Sequence, residues 1–133
     1  MGLTLPLIRS PRMSGAPGKG VIAEFERDFV DVVFTLDESY LGEIKVTRNL
    51  SLPQAFRTAL GQILEYAYTR FDKLPQMIIF LDQRLDASRL RIANVLGIVV
   101  IPGIDGHFEL LNPHVALAEL QNLFSTAKSD TQT

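Results

Sequence analysis

The sequence predicts an α/β domain in which an antiparallel hairpin and parallel strands share one mixed sheet, flanked by helices. Three observations carry that expectation. Residues 21–46 are rich in β-branched and aromatic residues and are broken at Asp37-Glu38-Ser39. Two short runs, "MIIFL" at 77–81 and "IVVI" at 98–101, are continuously apolar, as strands covered on both faces are. Between and beyond these runs, apolar residues recur with helical spacing.

Each element has its own local reason. "VIAEFERDFVDVVFTL", 21–36, reads as strand, and "YLGEIKV" resumes the pattern after the turn, so 29–46 is expected to be a β-hairpin. Period two puts Glu43 and Lys45 on one face and Ile44 and Val46 on the other. Ser51 then caps a helix, with Pro53 in its first turn and Gln54 completing a capping box. Phe56, Ala59, Leu60, Ile63, Leu64, Ala67 and Phe71 form its apolar stripe, and Pro75 closes the unit. "DASRLRIANVL" predicts a second helix, capped by Asp86 or Ser88 and ended by Gly97. The strand "IVVI" is expected to close at Pro102-Gly103. "NPHVALAELQNLFSTA" predicts a last amphipathic helix. Two buried strands joined through a helix imply a parallel crossover.

Composition narrows the function. A chain of 133 residues with 47% hydrophobic and 21% charged residues suits one domain with a real core. The expected organisation is a flexible basic arm at 1–20, a folded domain at 21–127 and a polar tail at 128–133. The arm holds four glycines, three prolines, Arg9, Arg12 and Lys19 and no acid. Without cysteine, thiolate zinc sites and cysteine nucleophiles are excluded, and two histidines make a histidine-rich metal site a poor expectation. No apolar stretch is long enough to span a membrane and no signal peptide is legible, so a cytoplasmic protein without a membrane partner is expected. A net charge of −2 argues against a uniformly basic nucleic-acid coat. "GAPGKG" lacks the Ser/Thr ending and preceding buried strand of a phosphate loop, and no nucleophile elbow is present.

Asp31, Glu43 and Lys45 are the residues whose arrangement suggests chemistry. If the hairpin pairs as expected, Asp31 approaches Glu43 on the neighbouring strand. Two carboxylates held close repel unless a cation compensates them. Oxygen ligands alone suit a hard ion, Mg²⁺ first and Mn²⁺ as an alternative. Lys45 shares Glu43's face and could stabilise negative charge on a phosphate oxygen. Taken alone, a Glu-x-Lys strand is more often a solvated face, and Tyr66 with Gln62 more often a core-edge aromatic beside a surface amide.

The order of features adds to this. Asp31, eleven residues, Glu43-Ile44-Lys45, and then a capped helix bearing Gln62 and Tyr66 resembles the PD-(D/E)xK nuclease superfamily. "GEIKV" and "ALGQILEYA" look like its branch with a Gln-x-x-x-Tyr motif, as in RecB-type nuclease domains, over roughly residues 20–101. The resemblance implies a restriction-endonuclease-like fold and metal-dependent hydrolysis of nucleic-acid phosphodiesters, DNA first, by water that the ion activates. It implies Asp31, Glu43 and the Ile44 carbonyl as metal ligands and Lys45 as the catalytic lysine. Gln62 and Tyr66, one helical turn apart, would lie beside the site, contacting the nucleic-acid backbone or positioning Lys45. Members usually begin with a helix whose glutamate faces the site. None is predicted before Val21, and Glu24, in a strand-like segment, is the nearest substitute. Val30 stands where the family's motif has proline, and Asp28 is the rival to Asp31.

The expected function is therefore a Mg²⁺-dependent nuclease, with a catalytically inactive module of the same fold for nucleic-acid binding or protein assembly as the alternative. A homodimer or a fused partner subunit could help so small a domain grip a duplex. The basic arm would contact phosphates, Thr47 and Arg48 could reach phosphate, and Arg84, Arg89, Arg91, His107 and His114 read as surface residues.

Overall fold

The computed structural model describes residues 20–26, 29–48 and 50–131, with side chains for 32–48 and 50–125. Residues 1–19 of the arm expected at 1–20, Asp28, and the side chains of Glu24 and Asp31 lie outside the described residues. Six strands form one sheet in chain order: β1 (Gly20–Glu26), β2 (Phe29–Thr35), β3 (Ser39–Lys45), β4 (Gln76–Leu81), β5 (Val99–Ile104) and β6 (His107–Phe108). β1, β2 and β3 pair antiparallel, β3, β4 and β5 pair parallel, and β6 returns antiparallel on β5. Three helices flank the sheet: α1 (Leu52–Arg70), α2 (Ala87–Leu96) and α3 (Ala118–Thr131). This is the mixed α/β architecture that the sequence predicts.

The two faces of the sheet build two cores. On one, Leu41, Met77, Ile79, Leu81 and Val100 pack under α1 and α2, through Phe56, Ala59, Ile63, Ala67 and Ala93. On the other, Val32, Phe34, Tyr40, Ile44, Ile78, Phe80, Val99 and Ile101 pack under α3 through Leu120. Strands buried on both faces need apolar residues at every position, which is why β4 and β5 lack alternation. β3 departs from that rule at Glu43 and Lys45.

Local chemistry sets the helix ends. Ser51 Oγ accepts from the Gln54 N–H and Gln54 Oε1 accepts from the Ser51 N–H, a reciprocal capping box. The Asp86 carboxylate accepts from the Arg89 N–H at the start of α2, and Gly97 ends that helix at φ 69. Desolvation pushes the Asp86 carboxyl up. The hydrogen bonds and charge of Arg89 together outweigh it and hold the group below the usual carboxylate range.

Five expectations are corrected. The single strand-like segment at 21–36 is two paired strands, β1 and β2, so the hairpin gains a further edge strand. The hairpin turn occupies 36–38 rather than 37–39, and β3 ends at Lys45. β5 runs through Pro102 and Gly103 to Ile104, then turns at Asp105 (φ 53) and Gly106 (φ 79) into β6, because both central residues supply the positive φ that a tight two-residue hairpin requires. The last helix begins at Ala118, after a 3-10 turn at Pro113–Val115, and its backbone continues to Thr131, into the segment expected as tail. Asn112, expected at a helix start, is instead a buried bracket. Its side chain accepts from the Val100 N–H and donates to the Ile98 carbonyl and Asn94 Oδ1.

α3 is also pinned to the β2–β3 turn. Glu119 accepts hydrogen bonds from the Asp37 and Glu38 N–H groups and from the Tyr40 hydroxyl. Burial first, then the hydrogen bond and charge of Glu119, push the Tyr40 phenol well above its ordinary pKa of 10.0. The folded chain thus keeps this proton where the unfolded chain begins to lose it. Stability should be fully retained below pH 10 and decline as pH rises above it, and Tyr40→Phe should flatten that decline in alkaline urea titrations.

Gly42 is required by contact rather than by conformation. A Cβ there would lie 2.7 Å from the buried Phe80 ring. Gly42→Ala should lower unfolding free energy by about 1–3 kcal/mol, read from the urea midpoint.

Candidate metal and phosphodiester site

β3 carries the site because its alternation is unbroken. Tyr40 and Ile44 belong to the α3 core and Leu41 to the α1 core, so Glu43 and Lys45 stand on the α1 face. Glu43 is 0% exposed and Lys45 3%, the two charged side chains buried among the described residues. They sit roughly 6–7 Å apart along the strand, given a rise of about 3.3 Å per residue. Burying a charge costs several kcal/mol even after relaxation, so two on one strand face need mutual or external compensation.

The register supplies two further acidic positions. Asp31 is the direct cross-strand partner of Glu43, and Glu24 is in turn the partner of Asp31. The expected approach of Asp31 to Glu43 therefore holds at the level of the backbone. Ile44 is paired on both sides, to Val30 and to Phe80. Its carbonyl has two lone pairs, so ladder pairing does not exhaust its capacity as a ligand.

α1 lies over this part of the sheet, contacting β3 and β4. Phe56, Leu60 and Arg57 line its boundary with α2. At 100° per residue, Gln62 lies about 160° and Tyr66 about 120° around the helix from Leu60. That puts both on the flank away from α2, towards β2 and the Asp31 position. Gln62 Oε1 is buried and accepts no hydrogen bond among the described residues. The Tyr66 ring packs at the edge of the α1 core, with the Arg70 guanidinium 4.5 Å from its centroid and the Phe71 ring 6.1 Å away.

Compared with known proteins, the chain matches no family model, and no curated protein or solved structure is significantly similar to it.

One group at the strand ends is not anticipated by the sequence. The Asp82 carboxylate, just after β4, accepts from the Thr47 N–H at 3.1 Å and from Thr47 Oγ1 at 2.9 Å, while Gln83 Nε2 donates to Thr47 Oγ1. This clamp fixes the chain two residues beyond Lys45. The available signal was an aspartate directly after a buried parallel strand, at the carboxyl end where α/β sheets bind ligands. Thr47, expected to reach phosphate, is thus engaged within the fold. Arg48 is exposed, Arg84 pairs with Glu109 and Arg89 with Asp86, and His107 and His114 are exposed, in β6 and the 3-10 turn.

The donor chemistry fits a hard cation. Carboxylate and carbonyl oxygens suit Mg²⁺, which commonly takes only one or two protein carboxylates. Among the described residues no three His, Cys, Asp or Glu side chains gather. An ion here would rest on Glu43, the Ile44 carbonyl and Asp31 across the ladder. No helix among the described residues is long and apolar enough to cross a membrane.

Substitution separates compensation from packing. Lys45→Met removes the cation from Glu43's strand face and should destabilise by about 3–5 kcal/mol, whereas Glu43→Leu with Lys45→Met should recover most of that loss. Urea unfolding of both variants tests this, and a double variant no more stable than the single would contradict it.

Proposed function

We propose that this chain is a metal-dependent nuclease that hydrolyses nucleic-acid phosphodiester bonds, with DNA as the first candidate substrate. One observation carries the reading: Glu43 and Lys45 are buried together on the α1 face of β3, with Asp31 in direct register with Glu43. The resemblance to PD-(D/E)xK nucleases supplies the reaction class, and the Gln62/Tyr66 flank of α1 turns towards the same side. A cytoplasmic setting goes with this reading.

Asp31, Glu43 and the Ile44 carbonyl would hold Mg²⁺ or Mn²⁺. Such an ion supplies Lewis acidity, lowering the pKa of water and offsetting phosphate charge. The chain's own groups do the remainder. Lys45, its backbone held by pairing on both sides, would present its ammonium to negative charge developing on a phosphate oxygen. The buried Gln62 Oε1, which accepts no hydrogen bond among the described residues, would accept one from a water at the site and so orient it. Tyr66 closes the flank and, with Arg70 above its ring, faces the phosphate backbone. The Thr47–Asp82 clamp holds the exit of β3, and with it the position of Lys45.

The depth of the two charges favours a second reading. Fully buried groups suit a structural cluster in a catalytically silent module of the same fold, serving nucleic-acid binding or protein assembly. A plasmid-cleavage assay separates the two. The nuclease reading expects cleavage that requires added Mg²⁺ or Mn²⁺, stops with chelator, and falls at least about a hundredfold in Lys45→Ala and Asp31→Ala. Cleavage that survives both substitutions rejects the residue assignment, and no cleavage with either metal leaves the silent module.

A further inference from the structure

α2 turns most of its apolar surface away from the core. Leu90 and Ala93 face inward, whereas Ile92, Val95 and Leu96 are exposed, Val95 by 81%. With Ser88 and Arg91 they follow i, i+3, i+4, i+7 spacing and form one stripe along the helix. A single exposed aliphatic is ordinary, but a contiguous apolar stripe marks an interaction surface. Beside it runs a cleft of about 270 Å³ between α1 and α2, walled by Pro53, Phe56, Leu60 and Ile92 and edged by Arg57 and Arg89. That is smaller than the roughly 300–1,000 Å³ of a small-molecule pocket and suits inserted side chains.

The charge around this face decides the occupant. Asp86, the carboxylate at the start of α2, is already bonded to Arg89. Arg57 and Arg91 are exposed and join no ion pair among the described residues. A second copy meeting this one through α2 would offer the same patch, since a two-fold contact is self-complementary, and the carboxylate of that patch, Asp86, is engaged by Arg89, which leaves none for the other copy's Arg57 and Arg91. A bilayer is met by convex surfaces and leaves a cleft between two helices unfilled. A third helix fills it, ridges entering grooves.

We propose that the outer face of α2 and the cleft beside α1 dock an amphipathic helix of another protein, its apolar stripe flanked by carboxylates that meet Arg57 and Arg91. This is the helix-in-groove mode of recognition. The surface lies on the opposite flank of α1 from Gln62 and Tyr66, so the proposal stands independently of the nuclease reading.

The test uses the full chain and a dye-labelled model helix, with leucines at i, i+3, i+4 and i+7 and glutamates on both flanks, followed by fluorescence anisotropy. The same helix with lysine flanks is the control. The glutamate helix should bind, weaken with salt, and lose at least tenfold in affinity on Val95→Glu, whose melting temperature should match the parent because the site is exposed. Arg57→Glu with Arg91→Glu should reverse the preference towards the lysine helix. Equal binding of both helices, or indifference to Val95→Glu, overturns the proposal. So does self-association in sedimentation, or adsorption to phosphatidylserine vesicles, if Val95→Glu abolishes it.

Discussion

Two charges lie where the fold has no water to offer them. The centre of this sheet is covered on both faces, and the other buried side chains of β3 and β4 are hydrophobic. Glu43 and Lys45 interrupt that pattern at consecutive inward positions of one strand. Leucine or methionine at the same positions would pack without desolvation cost, so stability alone does not account for them. Charged side chains kept in the interior without a packing reason point to function rather than to stability, and the remaining features of this face are consistent with that. Asp31 is in register with Glu43, and an amide acceptor on α1 is buried above the same half of the sheet.

The surrounding architecture keeps these groups in position. β3 is the strand at which the sheet changes from antiparallel to parallel, and it is paired on both sides from Tyr40 to Lys45. Such pairing leaves its side-chain directions little freedom. Gly42 admits the Phe80 ring on the opposite face, directly behind Glu43. Beyond Lys45, the Thr47–Asp82 contact joins the carboxyl ends of β3 and β4. At the other end, Glu119 ties the β2–β3 turn to α3. The strand is therefore held by its neighbours, by the packing behind it and at both ends, as a site that must hold a charge against desolvation requires.

Much of this was legible in the sequence where the signal is local. The alternation through Tyr40–Lys45 assigns faces because one core claims Tyr40 and Ile44 and the other Leu41. The capping box at Ser51 and the left-handed Gly97 marked helix ends directly. What escaped depends on residues distant in sequence or on elements too short to show a period. Residues 21–36 are strand-rich on both sides of the charged run Glu26-Arg27-Asp28, and that run, without glycine or proline, was the one faint sign of the division into β1 and β2. β6 has two residues, which no pattern can reveal, although Asp105-Gly106 is a hairpin pair. Asn112 preceding proline reads as a helix start until β5 and α2 bring Val100, Ile98 and Asn94 to it. Asp82 and Thr47 are separated by 35 positions and meet only because β3 and β4 run parallel. The exposed stripe of α2 escaped for another reason, since apolar spacing cannot say which side of a short helix faces the core.

The central claim is that the buried carboxylate of Glu43 is retained to share a divalent cation with Asp31. Anomalous diffraction from crystals soaked in Mn²⁺ tests it most directly. The account predicts a manganese peak within about 2–2.5 Å of a Glu43 carboxylate oxygen and in contact with Asp31. A crystal without manganese at that position, in which Glu43 and Lys45 compensate each other alone, would contradict it.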